Sequence, residues 1–465
     1  MPRALWTSKE IVAATGGRLA GDAFSAHGVS IDSRTLRPGD LFVALAGERD
    51  GHGFLDQAFA AGAAGALTSR PAGGACVVVD DTLEALRRLG EAARRRAPRA
   101  LRGAVTGSVG KTSVTQAVLA GLRRGGAAHG SVQSYNNHFG VPLTLARMPQ
   151  ETLRAVFEIG MNHAGEIAPL AAMVKPRAVA VTSVGAVHVE NFADGEAGVA
   201  RAKSEIFAGM ESGGVAVLDA DSPWFELLGC EARRRGAILR TFGVDAVADA
   251  RLESFTAAPI GALLKAKVDG EVVEFPLHHA AIHWGAMSLC VLLMLQALEI
   301  DLADGVAALT DFQPLEGRGA ERQIEIAGGA FTVVDESYNA NPISMRAALR
   351  TLGARTAEGR KLVVLTDMLE LGEDREVAHA ALAGPIEDAG VDLVFCAGPL
   401  MKRLWEALSP TRRGGYASCA ADLSPQLVRT VEPGDLVMVK GSKGSKAWAV
   451  MAAVASLDAA RRGGD

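Results

Sequence analysis

The densest run of chemically capable residues is Thr106-Gly107-Ser108-Val109-Gly110-Lys111-Thr112-Ser113. Gly107 and Gly110 free the backbone to turn N–H groups onto an anion, and a following helix would add its positive end. A lysine in this place can bridge the β- and γ-phosphates of a nucleotide, and a threonine hydroxyl can ligate Mg²⁺. The pattern is GxxxxGK[ST] without its first glycine, since Val105 stands there. The bland reading is a glycine-rich turn with a chance lysine. The strand-like LRGAVT before it and the helical KTSVTQAVLAGLRR after it favour phosphate binding.

Two further hard-ligand candidates lie downstream. Glu158 lies in the strand-like AVFEIG, and His188 follows AVAVTSVGA. Parallel strands of one sheet would bring both to the side of the glycine loop, where they could hold Mg²⁺ near the terminal phosphate. Imidazole suits Mg²⁺ less well than carboxylate or water. Read alone, His188 is a polar loop residue and Glu158 the partner of a lysine.

The elements that must position these groups fall into three blocks. In residues 1–99, Thr7 to Gly16 reads as a capped helix, and 40–47 and 76–80 as strands; 55–67 and 81–97 have helical spacing. Residues 100–315 alternate apolar strands (155–160, 178–184, 214–219) with helical stretches, the βα pattern of a parallel sheet. Residues 316–465 repeat the style in FTVVDES, KLVVLTD, DLVFCAG and DLVMVKG, a Rossmann-like sheet without a GxGxxG fingerprint. The fold class is α/β in three domains.

The 465 residues carry a net charge of -5, and no basic block suggests a nucleic-acid partner. The five cysteines form no CxxC pair, so buried reduced thiols are expected rather than a zinc site or disulfides. No apolar run is long enough for a membrane span, and the N-terminus lacks a signal core.

In order and spacing, TGSVGKTS (106–113), NNHFGVPLTL (136–145), EIGMNHAGEI (158–167) and HVENFADGEAGVARAKSEIF (188–207) resemble the Mur ligases. These ATP-dependent enzymes form the amide bonds of peptidoglycan precursors, and their loop also lacks the first glycine. DSRTLRPGDLFVALAGERDGHGF (32–54) is similar to their UDP-sugar-binding domain. DESYNANPISM (335–345) and TDMLELGE (366–373) resemble the branch that adds D-alanyl-D-alanine.

The resemblance implies a UDP-substrate-binding domain over 1–99, a central P-loop domain over 100–315 and a C-terminal domain for the incoming dipeptide over 316–465. It implies a cytoplasmic monomer that uses ATP and two Mg²⁺ to join D-Ala-D-Ala to UDP-MurNAc-tripeptide through an acyl phosphate. Residues Thr106 to Ser113 would bind the triphosphate, with Lys111 catalytic and Thr112 on a metal. Glu158, His188 and a carbamylated Lys203 would be metal ligands, and His188 and Lys203 would also serve catalysis. Without the family, Lys203 reads as a helix-surface lysine. Asn136 and Asn137 would lie near the reacting groups. Arg318, Glu336 and Asn339 would reach the nucleotide from the third domain, and Asn341 the substrate. Asp32, Ser33 and Arg34 would hold the uridine end, against a bland reading as a capped turn with a local ion pair.

One stretch departs from the pattern. Trp284 and Met287 occupy positions where family members commonly carry asparagine against adenine. Trp284 would either stack on the base or fill core. A neighbouring ligase that adds the third peptide residue stays open, although its DNPR-like element is missing. So does a P-loop switch that makes no bond.

Overall fold

The computed structural model describes residues 3–462 apart from 48, 133, 188, 245–246 and 259–260. In the first domain Thr7 and Glu10 close a capping box: the Thr7 hydroxyl accepts the Glu10 N–H at 3.2 Å and the Glu10 carboxylate accepts the Thr7 N–H at 2.7 Å. The helix Ser8–Thr15 ends at Gly16 with φ 76°, as TSKEIVAATGG predicts. A five-stranded sheet runs in the order Arg18–Ala20, Cys76–Val78, Gly65–Thr68, Asp40–Val43, Gly28–Ser30, antiparallel only at its first pair. The helical spacing expected over 55–67 gives way half-way. A helix occupies Leu55–Ala60, Gly62 turns the chain at φ 92°, and Gly65–Thr68 is a fully buried strand. A strand covered on both faces is apolar throughout, so its sequence carries no period that separates it from a buried helix.

The first domain is fixed to the second by close packing. Gly90, in the helix Thr82–Arg96, lets it approach the helix Gly140–Ala146. A Cβ at position 90 would lie 3.0 Å from Leu145 Cβ and from the Pro142 carbonyl oxygen. Trp6 donates its indole N–H to the Ala146 carbonyl at 2.8 Å, with the Arg96 guanidinium 3.4 Å above its ring. One continuous core runs through this junction from Trp6 and Leu86 to Phe157 and Ile206.

The central sheet has nine strands. Seven run parallel: Ala128–Gly130, Arg154–Glu158, Leu101–Thr106, Ala178–Val181, Val215–Asp219, Ile238–Gly243 and Ala250–Ala257. The sequence reading did not foresee the antiparallel meander Ala262–Val268 and Glu271–Leu277 that extends it. Residues 262–268 alternate buried and more exposed side chains, the mark of a strand covered on one face. In the helix Lys111–Arg124, Val114, Val118 and Leu122 are all fully buried, the face their four-residue spacing predicts.

The third sheet runs Ala320–Ile326, Gly329–Glu336, Leu436–Lys440, Lys361–Thr366, Leu393–Ala397, Arg413–Ala417, parallel except for its first hairpin. Separate apolar clusters cover its two faces. Cys76, Cys290 and Cys396 are buried and free as expected, whereas Cys230 and Cys419 are free and exposed. Among the described residues no helix is long and apolar enough to cross a membrane.

Candidate active site

Strand ends of the second and third sheets meet across a cleft of about 570 Å³. Ser108 to Ser113, Asn136, Asn137 and Glu158 line it from one side, and Arg318, Glu336, Asn339, Asn341 and Lys440 from the other.

The glycine loop is strapped in place. Gly107 has φ 151°, and a Cβ there would stand 2.0 Å from the Thr182 hydroxyl, so no side chain fits. That hydroxyl donates to the Val109 carbonyl at 2.6 Å. The Ser183 hydroxyl accepts the Val109 N–H at 2.9 Å, and the Ser183 carbonyl accepts the Ser108 N–H at 2.8 Å. Gly110 (φ 87°) then opens the helix at the wall of the cleft, where its first N–H groups have no partner within the helix. Lys111 Nζ donates across the loop to the Gly107 carbonyl at 2.7 Å. Burial holds the Lys111 amine below the ordinary lysine value; Glu158 pulls it up and Arg318 pushes it further down. Thr112 and Ser113 are buried at the helix start. Thr106 is fully buried beneath the loop, its hydroxyl without a hydrogen-bond partner.

Glu158 is 1% exposed. Its N–H donates to the Ser131 hydroxyl at 2.9 Å, and its Oε1 accepts from Asn136 Nδ2 at 2.6 Å. Its Oε2 is buried with no hydrogen-bond partner among the described residues. A buried carboxylate oxygen without a donor costs on the order of 1–3 kcal/mol or more, and a cation would satisfy it. Lys203 is not a surface lysine: at 4% exposure it lies in the helix Glu196–Ser204. Desolvation, and then the charge of Lys111, hold its amine well below 10.5. Among the described residues no three of His, Cys, Asp and Glu gather round a metal. His188 lies outside the described residues.

On the opposite wall the Arg318 guanidinium sits 4.0 Å above the Tyr338 ring, and the Tyr338 hydroxyl is hydrogen-bonded to the Ser134 hydroxyl. Lys440 Nζ donates to Glu336 Oε2 and to the Asn339 carbonyl, each at 3.1 Å.

Three family models cover most of the chain: Mur ligase family, catalytic domain, over residues 25–96; Mur ligase middle domain over 105–291; and Mur ligase, glutamate ligase domain, over 322–443. The UDP-N-acetylmuramoyl-tripeptide–D-alanyl-D-alanine ligase of Bacillus subtilis (strain 168) is 31% identical over 457 residues, 95% of this chain and 96% of that one. The chain belongs to the Mur ligase family. A crystal structure of MurF from Acinetobacter baumannii superposes with a TM-score of 0.84 at 28% identity, covering 97% of this chain and 99% of that one. The MurF ligase of Thermotoga maritima in complex with ADP shares the fold, with a TM-score of 0.77 at 22% identity over 93% and 98% of the two chains.

Not every residue expected of a Mur ligase site has a free side chain in the cleft. The Asn137 side-chain oxygen accepts the N–H groups of Phe139 (3.2 Å) and Gly140 (3.0 Å), at the entry to the helix Gly140–Ala146. The Asn341 side-chain oxygen caps the helix Pro342–Ala354 by accepting the Ser344 N–H at 2.9 Å. Trp284 helps wall the cleft yet fills core, stacked 4.3 Å from His279 and tilted against Phe312 at 5.9 Å. Met287 packs beside Gly110. Asp32, Ser33 and Arg34 stay in the first domain and do not line this cleft. Arg34 Nη2 pairs with Asp32 at 2.6 Å, holding that carboxyl below the usual range, and Ser33 bonds Gln57 at 3.0 Å.

Sequence reasoning gave no role to Tyr338, Lys440 or Ser134. Lys440 precedes the closing glycine of the strand-like DLVMVKG and is the last residue of the strand Leu436–Lys440, so its place at a strand terminus was a usable signal. Nothing in the sequence marks the Ser134–Tyr338 contact, which joins residues 204 positions apart.

Proposed function

We propose that this Mur ligase joins D-alanyl-D-alanine to UDP-N-acetylmuramoyl-tripeptide, driven by ATP. The tripeptide's terminal carboxylate attacks the γ-phosphorus, forming an acyl–oxygen–phosphorus bond and releasing ADP. The dipeptide amine attacks the acyl carbon and gives up a proton; the tetrahedral intermediate collapses, phosphate leaves, and the new amide bond remains. Carboxylate and triphosphate repel each other, so the protein's first task is to gather negative charges.

The observation that carries this reading is Glu158 Oε2, an unsatisfied buried carboxylate oxygen beside a phosphate loop, in a cleft walled by two domains. Residues 106–113 cradle the triphosphate, and Lys111 bridges its outer phosphates. Glu158 and Thr112 offer the hard oxygens that Mg²⁺ takes, Asn136 fixes the Glu158 rotamer, and His188 and a carbamylated Lys203 would complete the set. Mg²⁺ there offsets phosphate charge and supplies Lewis acidity. The lowered amine of Lys203 supports carbamylation, because the neutral amine attacks CO₂ and the product is an oxygen ligand. Arg318, Glu336 and Asn339 close over the nucleotide, Trp284 walls its base, and Asn137 and Asn341 hold the loops against the reacting groups. Asp32, Ser33 and Arg34 hold the uridine end. Residues 1–99, 100–315 and 316–465 thus receive the UDP end, ATP and the dipeptide in turn. One chain carries all three surfaces, so a monomer suffices, and its soluble substrates suit the cytoplasm.

Phosphate release tests the reading. It is expected only when both acceptor and dipeptide are present, and to vanish in a folded Lys111→Ala variant. Release from ATP alone, unchanged by either substrate, would instead mark a nucleotide switch.

A further inference from the structure

A second cavity, of about 420 Å³, branches from the cleft toward the first domain. The two share Asn137, His138, Gly160 and Glu166, so a molecule reacting in the cleft can send a branch into the cavity. Its floor is apolar, formed by Leu170 and Met173, and its far wall is the charged face of the helix Thr82–Arg96. Most charges there are engaged closely. Glu84 holds Arg88 at 3.1 Å, Glu91 holds Arg95 at 3.4 Å, and Glu166 accepts the Asn162 N–H at 2.8 Å. Arg88 also donates to the Thr15 carbonyl at 3.2 Å. Arg87 has the loosest pairing of these, 3.9 Å to a Glu84 already shared with Arg88. The cavity therefore offers an apolar run for methylenes, the Glu166 carboxylate on the side shared with the cleft, and one guanidinium ready for an incoming carboxylate.

The ligase reading, on which this inference rests, puts the tripeptide's terminal carboxylate in the cleft. The third residue's side chain is the part of the substrate that branches off beside the reacting carbon. We propose that this cavity holds that side chain, and that Arg87 selects one ending in both an ammonium and a carboxylate over one ending in an ammonium alone. The diaminopimelate and lysine tripeptides are the two cases. The methylenes lie on Leu170 and Met173, the ammonium faces Glu166, and the distal carboxylate displaces Glu84 from Arg87. A site built to pair a charged group rejects the analogue that lacks it.

The test compares kcat/KM for the two UDP-MurNAc-tripeptides in wild type, Arg87→Ala and Arg87→Glu, with ATP and D-Ala-D-Ala saturating. Wild type is expected to prefer the diaminopimelate tripeptide by about tenfold or more. Arg87→Ala should bring the ratio toward one, and Arg87→Glu should invert it. A wild-type preference for lysine, or a ratio that neither substitution moves, would overturn the assignment while leaving the ligase intact. Failure to extend either peptide, in protein that binds ATP, would overturn the ligase reading itself.

Discussion

Glu158 carries half of its charge where no hydrogen-bond donor among the described residues answers it. Glu158→Gln should relieve that desolvation and keep the Asn136 contact through its side-chain oxygen. We expect its melting midpoint without nucleotide to equal or exceed wild type, while turnover falls by about a hundredfold or more. A less stable but fully active variant would show that the carboxylate serves the fold. Gly107→Ala sets a methyl against the Thr182 hydroxyl and should abolish ATP binding, as titration calorimetry would show; retained affinity would contradict the loop geometry. The loop residues were legible because their chemistry needs those types at that spacing next to a strand and a helix. The burial of Lys203 was not. ARAKSEIF places it one helical step from solvent-facing residues, and only the packing of neighbouring elements decides that its amine is dry.

Among the elements, the link between second and third domains is carried by a few side chains at strand and loop ends. Tyr338 bonds Ser134, three positions before the end of the segment that holds Asn136 and Asn137, and supports Arg318 with its ring. Tyr338→Phe keeps the ring under Arg318 and loses the hydroxyl bond; Tyr338→Ala loses both. We expect KM for ATP to rise by a few-fold in the first and by about tenfold or more in the second, with secondary structure unchanged by circular dichroism. Equal effects in the two variants would remove the role of the ring. At this scale the parallel strands were legible as apolar runs ending in polar or glycine residues. The strand Gly65–Thr68 and the meander over 262–277 were not: the first is apolar throughout, and the second gains its meaning from the helices Trp284–Ala297 and Leu302–Asp311 it packs against. The departure at Trp284 was legible as a change of residue type, but its stacking on His279 depends on distant packing.

For the whole molecule, the three large sheets share two junctions, and the buried groups there set its response to pH. His279 is buried against Trp284 and Phe312, and burial pushes it down to about 3. The unfolded chain takes up that proton near 6.5, so below that pH the unfolded state binds more protons and is favoured. The His279 contribution to stability is intact above about 6.5 and is lost as pH falls toward 3, at up to about 1.4 kcal/mol per pH unit. His279→Phe should flatten the acid side of the unfolding midpoint against pH, and curves parallel to wild type would contradict this. On the ligase reading proposed above, function at this scale is the gathering of three substrates on three domains, and one measurement bears on it first. Purified protein is incubated with ATP, Mg²⁺, UDP-MurNAc-tripeptide and D-Ala-D-Ala, each omitted in turn, and the products are read by mass spectrometry. UDP-MurNAc-pentapeptide is expected only in the complete mixture, with one phosphate released per product. ATP bound or hydrolysed without pentapeptide, in the complete mixture, would contradict it.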